Sequence, residues 1–167
     1  MTVVSDLAYI ALGANLGAAE QNLRSAMDAL QQLATGELVR SGLWLSEPVD
    51  CPADSADFIN AIVGFKPQKR LSPASLLAEL KKLEVEFGRR PDDRANGPRH
   101  LDLDIITYGD VTVNLAHLVI PHPRAHQRLF VLKPLQEVAP QLILPGFRQT
   151  VTELVEGAAP MRIVRLT

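Results

Sequence analysis

The chain carries a single cysteine, Cys51, in 167 residues. That excludes an internal disulfide and a cysteine-built zinc site. It has no apolar run near the roughly 18–20 residues that a membrane-spanning helix needs. Its start, Met1-Thr2-Val3-Val4-Ser5-Asp6, has no basic segment followed by an apolar core, so no secretory signal is expected. An excess of positive charge is missing too: the formal net charge is −2, which argues against general nucleic-acid binding through a basic surface. There is no G-x-x-x-x-G-K-[ST] phosphate loop, and Gly13-Ala14-Asn15-Leu16-Gly17 is too sparse for a dinucleotide fingerprint. No G-x-S-x-G nucleophile elbow occurs, and Cys51 beside Pro52 has no evident activating base. What is left has ordinary globular proportions, 47% hydrophobic and 22% charged. The expectation is one domain spanning residues 1–167, working in the cytoplasm.

Hydrophobic periodicity supplies the elements. Leu7 to Leu12 reads as a buried strand ended by Gly13, and Leu23, Met27, Leu30 and Leu33 trace one stripe of a helix from Ala18 to about Ala34, with Gly36 as its stop. A strand over Leu38 to Leu45 follows, then a proline-bearing loop from Ser46 to Asp57. Phe58 to Phe65 alternates as a strand, with Phe58 and Asn60 on one face and Ile59, Ala61 and Val63 on the other. Ser72-Pro73 predicts a helix start, Leu76, Leu80, Leu83 and Phe87 its apolar stripe, and Gly88 its end. Glu84 falls late in that helix, where a solvated face is the default. Arg89 to His100 is a polar loop with Arg89, Arg90, Arg94 and Arg99. Leu101 to Tyr108 is a strand, and Val111-Thr112-Val113 is its expected hairpin partner. A rigid Pro121-His122-Pro123-Arg124 loop follows. A short helix over Arg128 to Val138 tolerates Pro134 only near an end or at a kink; a helix near Thr152 to Glu156 and a strand from Met161 to Leu166 close the chain. The order through Tyr108 is β-α-β-β-α-β, the pattern of an α+β, ferredoxin-like βαββαβ core with an added hairpin and peripheral C-terminal helices.

Chemistry concentrates at Gly97-Pro98-Arg99-His100-Leu101-Asp102-Leu103-Asp104. On a strand, Asp102 and Asp104 share one face about 6.5–7 Å apart, while Leu101, Leu103 and Ile105 share the other. Two such carboxylates can hold Mg²⁺, which takes hard oxygen ligands and shares them with phosphate. The preceding arginines suit phosphate because a guanidinium can bond two oxygens at once. Residues alone leave open a half-buried strand with a solvated polar face, a metal-dependent phosphohydrolase, and a ferredoxin-like binding module without turnover.

The same stretch resembles the G-P-R-T-L-D-L-D signature of the 6-hydroxymethyl-7,8-dihydropterin pyrophosphokinases of folate biosynthesis. Tyr9-Ile10-Ala11-Leu12-Gly13-Ala14-Asn15-Leu16 resembles that family's opening strand and turn. Ser46-Glu47-Pro48 and Phe58-Ile59-Asn60-Ala61 resemble its pterin-site segments. Pro121-His122-Pro123-Arg124 with Arg128, Phe130-Val131-Leu132 and Pro134-Leu135 resembles its P-H-P…R-x-F-[VM]-L-x-P-L block. The resemblance implies transfer of a pyrophosphoryl group from ATP to the pterin hydroxymethyl oxygen, releasing AMP. It implies two Mg²⁺ ions on Asp102 and Asp104, and Arg89 and Arg99 against the charge of the transferred group. Glu84, Ile105, His122 and Arg128 would serve ATP. Ser46, Pro48 and Asn60 would read the pterin between Phe58 and Phe130. Small-molecule substrates are then the expected partners, with no nucleic acid or membrane and a monomer the simplest state. Asn96 departs from a common tryptophan, Asp50 from a common glycine, and Ser46 and His100 from common threonines.

Overall fold

The computed structural model describes residues 6–91, 93 and 97–166. Its main sheet is six-stranded and antiparallel. Strand β1 (Ala8–Ala14) lies between β4 (Phe58–Pro67) and β5 (Asp102–Tyr108). Beyond β4 come β2 (Ala34–Arg40) and β3 (Trp44–Ser46), and the C-terminal strand β8 (Ile163–Arg165) adds to the outer side of β3. A separate hairpin is formed by β6 (Val113–Leu115) and β7 (Leu118–Ile120).

Strand alternation sorts side chains into two apolar layers. On one face, Ile10, Leu12, Val63, Phe65, Leu103 and Ile105 pack with Leu23 and Leu30 of α1 (Ala19–Leu30) and Leu76 and Leu80 of α2 (Pro73–Glu86). On the other, Tyr9, Ile62 and Ile106 pack against Val131, Leu132 and Leu135 of α3 (Leu129–Val138) and Leu154 of α4 (Val151–Gly157). The second face is therefore covered only over the end of the sheet where α3 and α4 sit. The end carrying Gly13, Asn60 and Asp102 stays open.

Several expectations need correction. Helix α1 stops at Leu30, a single 3₁₀ turn covers Gln31–Leu33, and β2 starts at once at Ala34. Gly36 is thus inside β2, where its φ of 82° and a shift of register between Thr35 and Val39 let the strand bulge rather than ending a helix. The strand expected over Leu38 to Leu45 is broken at Ser41-Gly42-Leu43. There the Ser41 hydroxyl, in place of a backbone carbonyl, accepts the Ile62 N–H of β4 at 2.8 Å, and Gly42 N–H donates to Glu137 Oε2 of α3 at 2.8 Å, so side chains take over from the regular ladder. Val113 pairs with Ile120 of β7 and not with β5, because Gly109 and Asp110 turn the chain away, closed by Val111 N–H to the Tyr108 carbonyl. Pro134 stands inside α3 rather than at an end and is buried there; burial of its neighbours Val131, Leu132 and Leu135 in the apolar layer holds the helix despite one missing helical bond. Thr150 caps α4 through a reciprocal pair with Glu153.

Candidate active site

The open end of the sheet is a shaped floor. The register puts Asn60, Gly13 and Asp102 in one row across three strands, and Ile62, Ala11 and Asp104 in the next. With strands about 4.8 Å apart, the Asn60 and Asp102 backbones stand roughly 10 Å from each other. The small residues Gly13 and Ala11 between them leave a groove, and a cavity of about 130 Å³ occupies it. Ser46, Glu47, Val49, Cys51, Phe58, Asn60 and Phe130 line one end; Gly97, Arg99, Asp102, Asp104, His122 and Arg128 line the other.

Behind Asp102 stands Glu84. The expected solvated face is overturned: its side chain is 0% exposed. Oε2 accepts from Arg89 Nη1 at 2.8 Å and from the Leu103 backbone N–H at 3.2 Å, and the Lys81 ammonium pairs with Oε1 at 3.1 Å. A buried carboxylate held by two cations and a strand N–H anchors α2 to β5. Arg89, so fixed, has Nη1 3.5 Å from Asp102 Oδ1. Neither Glu84 nor Arg89 lines the cavity itself.

Burial in this recess pushes the Asp102 carboxyl up to about 7, followed by the neighbouring Asp104 charge and by the hydrogen bond and charge of Glu84, with Arg89 opposing them. Although its side chain is 41% exposed, a walled cleft hydrates a charge far less well than bulk water does. Lys81 and Arg89 both pair with Glu84, and Arg89 is the cation that also reaches Asp102. Among the described residues, no three His, Cys, Asp or Glu side chains form a metal site by themselves. A pair of carboxylates fits Mg²⁺, which takes its remaining ligands from water and phosphate.

Cations face that pair. Burial, the first cause, holds His122 below the usual imidazole range, helped by Arg128 and Arg124 and opposed by Asp104. Its Nδ1 accepts the Arg124 N–H at 3.2 Å, so the neutral ring carries its proton on Nε2, as a donor. Burial likewise lowers Arg128, with Arg124 adding to it, and its guanidinium carbon lies 5.4 Å from the Phe130 ring centroid. Arg99 is 5% exposed, with Nη1 3.2 Å from the Pro98 carbonyl.

At the other end, Asn60 Nδ2 donates to Ser46 Oγ at 2.8 Å and to the Trp44 carbonyl at 3.2 Å. Its N–H groups are thereby committed, which leaves Oδ1, next to Gly13, as the acceptor facing the floor. Pro48 is not in the lining, though Glu47 and Val49 on either side of it are. Ile105 departs from expectation: alternation turns its side chain into the layer under α1 and α2, and Ile106 takes the cavity position. Of the loop expected between Arg89 and His100, Arg94 and Asn96 lie outside the described residues. Asp50 adopts φ 54°, a left-handed conformation that aspartate tolerates and glycine accepts freely. His100 packs its ring beside Gly17 and Gly88, away from the cavity lining.

Asn15 is a bridging residue that its turn sequence does not reveal. Its Oδ1 accepts the Arg99 N–H at 2.9 Å and its Nδ2 donates to the Ala56 carbonyl at 3.2 Å, so one amide ties the signature stretch to the opposite loop. The one sequence signal for it is a lone amide just after the first strand, between Gly13 and Gly17.

Residues 9–140 match the family described as 7,8-dihydro-6-hydroxymethylpterin-pyrophosphokinase. The chain is 42% identical to the 2-amino-4-hydroxy-6-hydroxymethyldihydropteridine pyrophosphokinase of Haemophilus influenzae, over 95% of this chain and 97% of that one. It is 39% identical to the protein of the same name from Bacillus subtilis, over 83% of this chain and 81% of that one. The wild-type HPPK-DHPS of Plasmodium falciparum shares the fold, with a TM-score of 0.71 at 15% identity; the alignment covers 90% of this chain and 44% of that one.

Proposed function

The chain belongs to the 7,8-dihydro-6-hydroxymethylpterin-pyrophosphokinase family, and on that premise we propose how its cleft carries out pyrophosphoryl transfer to hydroxymethyldihydropterin in folate biosynthesis. The observation that carries the reading is the single groove with an amide and two phenylalanines at one end and carboxylates facing cations at the other. ATP is the donor and AMP the leaving product. The pterin lies between Phe58 and Phe130, with Asn60 Oδ1 accepting from its ring N–H edge and Ser46 holding Asn60 in that orientation. Pro48 contributes by stiffening the backbone between Glu47 and Val49.

Asp102 and Asp104 would hold two Mg²⁺ ions. Bound there, these would neutralise the triphosphate and polarise the transferred phosphoryl oxygens. Arg89 and Arg99 act on charge that develops at the transferred group, the dominant contribution in phosphoryl transfer. Arg89 can do so because Glu84 fixes it in advance; Glu84 serves the nucleotide through Arg89 rather than by contact. His122 donates from Nε2 to a phosphate oxygen, and Arg128 bonds another while its guanidinium stays over the Phe130 ring. Asp102 lies in the same strand row as Asn60 and is the carboxylate nearer the pterin, so it orients the attacking hydroxyl. Ile105 offers the nucleotide only its main chain, on the outermost strand.

The strand order supports a ferredoxin-like βαββαβ core, and residues 1–167 are read as one pyrophosphokinase domain, a cytoplasmic monomer. Among the described residues no helix is long and apolar enough to cross a membrane. The test is product analysis: ATP, Mg²⁺ and hydroxymethyldihydropterin together should give AMP and the pterin diphosphate. ADP as product, or AMP released without pterin, refutes the reading.

A further inference from the structure

The wall at the pterin end of the cleft includes a loop, residues 47–57, from which Glu47, Val49 and Cys51 line the cavity. It joins Ser46 at the end of β3 to Phe58 at the start of β4. A loop of this length has little intrinsic preference for one shape, so something outside it must select one. Both of its ends meet the same residue. The Arg162 backbone N–H donates to Glu47 Oε1 at 2.9 Å, and the Glu47 N–H donates back to the Arg162 carbonyl at 3.1 Å. Arg162 Nη1 and Nη2 then donate to Asp57 Oδ2 and Oδ1 at 2.8 and 3.0 Å. Immediately after it, β8 pairs Ile163 with Ser46.

Glu47 follows Ser46 and Asp57 precedes Phe58, so the two loop residues that Arg162 grips adjoin the two residues that Ser46 and Phe58 contribute to the wall. Arg162 itself lies beyond the 9–140 region that defines the family. It is not in the cavity lining. We propose that Arg162 is a positioning residue for the pterin, a staple from the C-terminal strand that joins both ends of the 47–57 loop and holds Ser46 and Phe58 at the spacing a flat heterocycle needs. This rests on the assignment of that wall to the pterin.

The fork geometry matters, because a planar guanidinium fixes the orientation of the carboxylate it grips and an ammonium does not. The Arg162 side chain is 59% exposed, and an exposed pair adds little to global stability. Its loss therefore shows in the loop and not in the melting temperature. Asn15 still tethers the loop at Ala56, so the loop loosens without being released, and the expected effect is about 5- to 20-fold on pterin binding.

The test compares wild type with Arg162→Ala, Arg162→Lys, Asp57→Ala and the Asp57→Ala/Arg162→Ala pair in the full chain. Amide exchange of residues 48–56, without ligand, should quicken in Arg162→Ala while the strands are unchanged. The dissociation constant for hydroxymethyldihydropterin should rise, that for a non-hydrolysable ATP analogue should stay within about twofold, and kcat at saturating pterin should hold. Lysine should restore little of the pterin affinity, and the pair of substitutions should cost no more than either alone. Unchanged loop exchange in Arg162→Ala overturns the staple. Faster exchange with unchanged pterin affinity overturns its link to the site, as do pterin and nucleotide affinities that fall together with the melting temperature. Wild type that binds no pterin refutes the assignment of the wall instead, while the exchange result still decides the staple.

Discussion

Replacing Gly13 with alanine separates binding from stability, because the two should move in opposite directions. Gly13 sits in the middle of the cleft floor, between Asn60 and Asp102 in the strand register. A Cβ there would lie 3.8 Å from Asn60 Oδ1, 3.9 Å from Phe58 Cδ1 and 4.0 Å from the Ile59 carbonyl. Those are ordinary contacts, so the protein itself accommodates the methyl. Removing the freedom of a glycine from the unfolded chain stabilises by about 0.4–1 kcal/mol where the native backbone suits alanine. At this chain length that corresponds to a melting temperature raised by about 1–4 °C. A ring lying on the floor loses that space, and overpacking of a close contact costs about 1–3 kcal/mol. The pterin dissociation constant should then rise about 5- to 150-fold, while binding of an ATP analogue at the Arg128 end changes little. Calorimetric titration of each ligand, beside thermal melting, reads both quantities. A melting temperature lowered by several degrees would mean that the floor is packed and not open. Unchanged pterin affinity would mean that the ring binds elsewhere.

The acidic cluster gives three further expectations. Asp104→Ala should lower kcat by more than a thousandfold with a melting temperature within about 2 °C of wild type, since its side chain faces the cavity; parallel loss of both would make the residue structural. Asp102 ionises near 7 in the fold against 3.8 for an ordinary aspartate, so the folded state holds the extra proton between those values. Metal-free stability should accordingly fall as pH rises from about 4 to about 7, by about 1–2 kcal/mol after allowing for partial hydration. Melting curves of wild type and Asp102→Asn that stay parallel from pH 5 to 8 would contradict this. Glu84→Gln should cost about 1–3 kcal/mol, because it takes the charge out of the bonds to Arg89 and the Leu103 N–H while the half-exposed Lys81 adds little; a variant as stable as wild type, by urea denaturation, would show that the carboxylate does not anchor α2 to β5.

The sequence made the strands of the floor and their faces legible, because period-2 alternation at Phe58 to Phe65 and at Leu101 to Tyr108 depends only on local pattern. It made Asp102 and Asp104 visible for the same reason. What it concealed depends on distant partners. Glu84 lies at the edge of the stripe set by Leu76, Leu80 and Leu83 and so reads as solvated, and it is the Leu103 N–H of β5, 19 residues on, that shows it pressed against the sheet. Ser41-Gly42-Leu43 looked like strand because nothing local reveals that Glu137, 95 residues on, takes the Gly42 N–H. The same limit hid the bridging role of Asn15 and of Arg162, whose partners are 84 and 105 residues away.

Those distant polar bonds divide the cleft into two kinds of wall. On the proposed reading, the phosphate end is built from a strand and a helix joined through the buried Glu84 carboxylate, so Arg89 is oriented before any ligand arrives, as electrostatic stabilisation of a transferred group requires. On the proposed reading, the pterin end joins fixed elements, the floor of β1 and β4 with Ser46 of β3 and Phe130 of α3, to one loop held by exposed or half-exposed hydrogen bonds from Arg162 and Asn15. Bonds of that kind are individually weak, so the loop can give way to admit a ring and then close on it. Affinity for the pterin should therefore respond to substitutions far from the cavity, at Arg162 or Asp57, to a degree that affinity for the nucleotide does not. The asymmetry follows from which wall is buried, and not from which ligand is larger.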